Sequence, residues 1–204
     1  NNTAPVLVEL YLEEGGIYGE GGRVGTLVAH IQDDELNVDS VTVDLSPIGG
    51  ALVNMNDRGL DGDSMIGDNR FTTKILVQGL EVGNVSLNVT ASDTWGLITS
   101  GSGEIEIINQ GPRLYAFEVL PDTGPRGAVM IVNTHAYDGH GVESVNIDLR
   151  QSGGGIIELT LSNGVWIGTF TVPDSMTPGE QVLPFILTDG LGDKEFTTLW
   201  HVDG

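Results

Sequence analysis

The chain contains no cysteine, which excludes disulfides, zinc-thiolate centres and thiol catalysis. Basic residues are scarce as well. Eight lysines and arginines face 29 aspartates and glutamates, a formal net charge of -21, and lysine occurs only at Lys74 and Lys194. A surface of that sign repels phosphate backbones and anionic membranes, so nucleic acid is excluded as a partner. It leaves most carboxylates without an ion-pair partner and suits a medium rich in salt or divalent cations. No apolar run approaches the ~18 residues that cross a bilayer, and the first residues lack the basic-then-apolar pattern of an export signal. The expectation is a segment without membrane insertion, from which any export signal or anchor has been removed or lies elsewhere.

Helical periodicity is also missing, and what replaces it is alternation. In SVTVDL (residues 40–45) Val41, Val43 and Leu45 share one face and polar residues the other, the period of a half-buried strand. Short runs of the same kind recur in VLVELYL (6–12), TLVAHI (26–31), FTTKILV (71–77), VSLNVTA (85–91) and EIEII (104–108), with Gly, Pro, Asn and Asp between them. With 39% hydrophobic residues the chain has enough apolar material for a packed core, and the fold class read from this pattern is all-β.

The second half repeats the first. SVTVDL returns as SVNIDL (144–149), Gly49-Gly50 as Gly153-Gly154, and ASDTWG (91–96) as LTDGLG (187–192). On the same reading Asp34 matches Asp138, and FTTKILV matches FTVP (170–173). A repeat of about 100 residues with about seven strands has the size of an immunoglobulin-like β-sandwich. The expectation is two such sandwiches in tandem, residues 1–109 and 110–204, joined by a short proline-containing linker that keeps them from swinging freely. The alternative is one larger sandwich with strands exchanged between the halves.

The halves part company at residues 56–71, NDRGLDGDSMIGDNRF, where the first carries four aspartates and the second has QSGGGIIELTLSNG with a single acid. Counted from Asp57 as position 1, Asp61 is position 5, Gly62 position 6, Asp63 position 7 and Asp68 position 12. This is nearly the EF-hand calcium-loop spacing, including the glycine of the sharp turn. Calcium takes six to eight oxygens, and a short loop wraps it only if carboxylates alternate with residues that permit tight turns. The predicted metal ligands are Asp57, Asp61, Asp63 and Asp68, with Asn56, the Met65 backbone carbonyl and Asn69 as candidates to complete the shell around Ca2+. Gly59 offers no side chain at position 3, and Asp68 is shorter than the usual glutamate at position 12. An affinity in the ~10⁻⁴ to 10⁻³ M range of extracellular modules gives roughly 1.4 to 2.7 kcal/mol of stabilisation at ~10 mM calcium. The competing reading is a polar hairpin rich in turn formers.

Other candidates carry less. Asp33-Asp34-Glu35 can meet Asp93 at one pole of the first sandwich as a second calcium site or form a solvated turn, and Asp138 with Asp189 is the equivalent pair in the second. His135 and His140 flank Asp138 across a turn without a third ligand, which argues against a transition-metal site. Asn84 and Asn88 each head an N-glycosylation sequon on one strand face, and Asn1 heads a third. Trp95, Trp166 and Trp200 are read as packing residues before a carbohydrate platform. No G-x-S-x-G elbow or H-E-x-x-H pair is present, so no catalytic residue is assigned.

Together, SVTVDLSPIGG, MNDRGLDGDSMIGDNRFTTKI and VTASDTWG resemble an immunoglobulin-like module of large secreted or surface-anchored proteins of marine archaea and bacteria. The aspartate loop resembles those of dockerins. The resemblance covers residues 33–96 and implies an extracellular, non-enzymatic role in an adhesin, surface layer or stalk. The implied partners are neighbouring domains, identical subunits or glycans. Two alternatives stand beside it: a filament subunit that donates the apolar strand 6–12 to a neighbour, and a carbohydrate-binding accessory module of a secreted hydrolase.

Overall fold

The computed structural model describes residues 2–204, so Asn1 and its sequon lie outside the described residues. The chain divides into two compact units, Asn1–Gln110 and Gly111–Gly204. The first contains β1 (Val6–Leu12), β2 (Ile17–Tyr18), β3 (Val24–Gln32), β4 (Val38–Asp44), β5 (Leu52–Met55), β6 (Arg70–Leu76), β7 (Gly83–Asp93) and β8 (Ile98–Ile108). The second contains β9 (Arg113–Leu120), β10 (Thr123–Gly124), β11 (Val129–Tyr137), β12 (Ser144–Asp148), β13 (Ile156–Glu158), β14 (Thr160–Ser162), β15 (Val165–Thr171), β16 (Gly179–Thr188) and β17 (Asp193–Val202). Among the described residues no helix is long and apolar enough to cross a membrane.

Each unit is a sandwich of two sheets. In the first unit β1-β3-β6 faces β2-β8-β7-β4-β5; in the second, β9-β11-β15-β14 faces β10-β17-β16-β12-β13. The entering strand of each unit pairs antiparallel with the first sheet, and a two-residue continuation then pairs parallel with the last strand of the other sheet, Ile17 with Ile107 and Thr123 with His201. That is the order of an immunoglobulin-like sandwich. Alternation sorts each strand: on β7, Leu87, Val89 and Ala91 enter the core while Asn84, Ser86 and Asn88 face out. Leu27, Val43, Leu87 and Ile107 anchor the first core, and Val132, Ile147, Phe185 and Leu187 the second. Each such side chain stabilises its unit by about 1.5 to 3 kcal/mol relative to exposure.

The repeated Gly-Gly pair has a steric cause. After a 3-10 turn, Gly49 and Gly153 adopt φ of +80° and +79°, the left-handed region that side chains resist. The next glycines bond back to Leu45 and Leu149, where an added Cβ would lie 2.7 and 2.8 Å from the leucine Cβ. Any larger residue would push the turn off the sheet.

Two details of the sequence alignment are corrected by the strand register. The buried aspartate that follows β3 is Asp33, so Asp33 rather than Asp34 is the counterpart of Asp138, which follows β11. The β3–β4 turn is one residue longer than a fixed offset allows for. Phe71 faces Ala29 and Trp166 faces Thr134. Those two partners stand four residues before Asp33 and Asp138, so Trp166, not Phe170, occupies the place of Phe71. Phe170 occupies that of Ile75.

Strand β1 pairs with β3 from Val6 to Leu12 with one bulge at Val8, and Leu10 and Leu12 are buried in the first unit's own core. The residues proposed for donation to a neighbour are thus already used within the unit.

Candidate metal centre

The aspartate loop connects β5 to β6, strands that belong to different sheets, so it is the crossover between the two layers of the first unit. Its base is closed by Asn56 and Thr72, which exchange backbone bonds of 3.0 and 2.8 Å. The buried Thr72 hydroxyl also donates to the Leu60 carbonyl at 3.2 Å. Gly62, at φ +96°, lies against Thr26 of β3 and Lys74 of β6. An added Cβ would stand 2.5 Å from Thr26 Cγ2 and 2.7 Å from Lys74 Nζ. Only glycine permits both the turn and the close approach.

Within the loop the backbone amides aim inward at carboxylates. Asp57 accepts from Gly67 and Asp68 on Oδ1 (2.7 and 3.3 Å) and from Asn69 on Oδ2 (2.9 Å). Asp63, only 9% exposed, accepts from Gly59 at 2.5 Å and Met65 at 3.0 Å. Asp68 accepts from Arg70 at 3.1 Å. These bonds bring one carboxylate oxygen from each of Asp57, Asp63 and Asp68 within 4.8 Å of one another. At an effective dielectric constant of about 20, two unit charges ~5 Å apart repel by about 3 kcal/mol, less where solvent screens them. Among the described residues, ion pairs join His30 to Glu9, His140 to Asp138 and Arg150 to Asp148, and none of these three reaches the loop. The loop therefore gathers an all-oxygen set with no cationic side chain paired to it, a donor set suited to a hard cation.

Of the four aspartates singled out in the sequence, three are gathered and one is not. Asp61 is exposed at φ +56°, and its Oδ2 accepts from Asn56 Nδ2 at 3.2 Å. Asn56 Oδ1 is buried with no hydrogen-bond partner, an orphan acceptor at the mouth of the loop. The Asn69 carbonyl accepts from Ile31 at 3.0 Å, a strand-type bond. The Met65 amide is held by Asp63. What the sequence reading missed is the part played by Asp57 as acceptor for three amides at the far end of the loop. The glycine at 67, just ahead of Asp68, is the signal for that close return.

The other candidates are placed as follows. Asp33 and Asp93 are 5% and 2% exposed. Asp93 Oδ1 accepts from Trp95 and Leu97 at 2.8 and 2.9 Å, and its Oδ2 accepts from the Asn2 side chain. Burial pushes the Asp93 carboxyl up, but the Leu97 amide, Asn2 and the Trp95 amide together hold it below its ordinary range. Asp189 holds its turn in the same way, accepting from Leu191 and Gly192 at 2.8 and 2.9 Å. These buried aspartates act as turn clasps. His135 stacks on Tyr115 with centroids 5.6 Å apart. Asn84 and Asn88 are exposed on the outer face of β7. Trp95 is 77% exposed, whereas Trp166 and Trp200 are buried.

No sequence family matches the chain, and no curated protein matches it by sequence. Solved structures do resemble it. The N-terminal eight immunoglobulin domains of Down syndrome cell adhesion molecule align at TM-score 0.51 and 15% identity, over 98% of this chain and 24% of that one. The fold is that of tandem immunoglobulin-like domains. This chain spans about a quarter of that cell-adhesion fragment. An I-band fragment of titin aligns at TM-score 0.41 and 11% identity, over 99% of this chain and 66% of that one. The Escherichia coli adhesin FdeC aligns at TM-score 0.33 and 13% identity, over 96% and 64%.

Proposed function

We propose that this chain is a non-enzymatic structural segment of an extracellular or cell-surface assembly, and that a calcium ion held by Asp57, Asp63 and Asp68 braces its first unit. The observation that carries the calcium reading is the convergence of those three carboxylates within 4.8 Å without a cationic partner. The buried Asn56 Oδ1, without a hydrogen-bond partner, belongs to the residue next to Asp57 and is the candidate for a fourth oxygen. Bound calcium would supply the charge that lets the carboxylates stay ionised side by side. The surface role rests on composition, since a net charge of -21 and an absence of cysteine suit a cation-rich medium in which metal rather than disulfide closes a loop. The partners are neighbouring domains or further copies of the same chain, and the exposed Asn84 and Asn88 are the places where a glycosylating host would modify it.

Thermal melts in calcium, in magnesium and in chelator test the proposal. At ~10 mM calcium the expected stabilisation of roughly 1.4 to 2.7 kcal/mol raises the transition of the first unit by about 5 to 10 °C. Asp57→Asn and Asp68→Ala remove that rise. Identical melts of the wild-type chain in all three solutions would overturn the reading. The exposure of Trp95 favours one second reading, a carbohydrate contact at the β7–β8 turn. Glycan binding lost in Trp95→Ala would support it.

A further inference from the structure

The two units differ along one flank of the sandwich, where the entering strand lies over the last strand. In the first unit this flank is closed. Cβ atoms added at Gly101 and Gly103 of β8 would stand 3.0 Å from Leu7 Cδ2 and 2.5 Å from Leu10 Cβ, so β1 settles directly onto glycine backbone. Leu87 and Leu183 each stand six residues before the aspartate of the turn that follows, and their partners on the last strand are Gly103 and Thr198. The positions facing Val89 and Phe185 are Gly101 and Phe196. The second unit thus carries Thr and Phe where the first carries glycine. Phe117, which faces Thr134 as Leu10 faces Ala29, does not settle as Leu10 does. It remains 39% exposed where Leu10 is 7%.

The result is an open groove of about 430 Å³ in the second unit, a volume within the range of ligand sites. Its apolar lining is Phe117, Val119, Leu199 and Trp200. Three carboxylates, Glu118, Asp122 and Glu180, stand along it with His201, and no lysine or arginine lines it. Both bordering strands have unpaired backbone. β9 is the last strand of its sheet, and the outer side of β17 is paired only where His201 and Val202 meet Thr123 and Gly124.

From these observations we infer that the groove binds an extended peptide segment in which basic residues alternate with apolar ones. The apolar side chains fill the space over Trp200 and beside Leu199, the basic ones meet Glu118, Asp122 and Glu180, and the peptide backbone pairs with a free strand edge. Charge complementarity selects this occupant. A second copy of this chain is a poor source of such a segment, because its 8 basic residues are outnumbered by 29 acidic ones.

The test uses the full chain, isotopically labelled, and three capped seven-residue peptides of alternating Lys and Val, Lys and Ser, or Glu and Val. Titration with the Lys-Val peptide is expected to shift the amide resonances of Phe117, Glu118 and Leu199 saturably. The Glu118→Lys, Glu180→Lys double variant and Leu199→Ser should each weaken binding at least tenfold, and the other two peptides should bind at least tenfold more weakly. Equal binding of the Lys-Ser peptide, or shifts scattered over the acidic surface, would show general charge attraction and overturn the proposal; so would an absence of shifts. Self-association abolished by Leu199→Ser would name a second copy as the occupant and overturn it too. The titration gives the same result in calcium and in chelator, which separates it from the calcium reading.

Discussion

The flanks of the two units are built from the same strands and differ in how they end. Leu7 and Leu10 settle over Gly101 and Gly103, whereas Phe117 stays 39% exposed in a unit that carries Phe196 and Thr198 at the matching positions. All three of the upper residues are hydrophobic, so their own hydrophobicity does not decide their burial. The residue opposite does. A strand seats its side chains only where the facing strand leaves room, and two glycines in a sheet otherwise poor in favourable glycine positions are the room.

The largest expected effect comes from removing that room. Gly103→Val places a branched side chain against Leu10 on a rigid strand and should cost the first unit about 2 to 3 kcal/mol in urea unfolding, as overpacking does. The loop supplies the next contrast: chelator lowers the transition of the first unit by the roughly 1.4 to 2.7 kcal/mol given above and leaves that of the second, which lacks the loop, where it was. Reversing the flank exchange is a smaller change. Thr198→Gly should cost the second unit about 1 kcal/mol in strand propensity while letting Phe117 sink, and loss of Lys-Val peptide binding would record the closure.

The smallest effect compares Asp44 with Asp148, which occupy matching strand ends. Asp44 is held below its ordinary range by the Ser46 amide alone among backbone groups, with help from the Ser46 side chain. Asp148 is brought to about 2 chiefly by the Arg150 guanidinium, which donates from Nε at 2.9 Å and from its terminal nitrogen at 2.7 Å. A carboxyl depressed in the folded state adds stability above its unfolded value of about 3.9, and that stability is lost as pH falls toward the folded value. The contribution of Asp148 therefore fades between about pH 4 and pH 2. Arg150→Ala should narrow that window at its acid end, as read by carboxyl carbon titration.

Much of this was legible in the sequence because it is local. Alternation in SVTVDL and VSLNVTA put Val41, Leu87 and Val89 inside, and the shared Gly-Gly turn marked the repeat. The convergence of Asp57, Asp63 and Asp68 followed from spacing. Asp61 stands apart from that group, at a left-handed position where its carboxylate accepts from Asn56. The match of Phe71 with Phe170 failed because the segment between β5 and β6 differs in length from its counterpart in the second unit, and the similar letters FT lie four residues beyond Trp166, the residue the register puts there. The groove was invisible for a different reason. No strand pattern singles out Gly101 and Gly103, and the leucines that lie across from them are more than ninety positions away in the chain.

The crossover position of the aspartate loop has a mechanical consequence. A tensile load that slides one layer of the first unit past the other must lengthen the connection between β5 and β6, and Gly62 seats that connection on Thr26 and Lys74 of the β1-β3-β6 layer. A cation among Asp57, Asp63 and Asp68 would shorten the slack in this tie. Its presence would then be felt less as warmth tolerated than as force withstood.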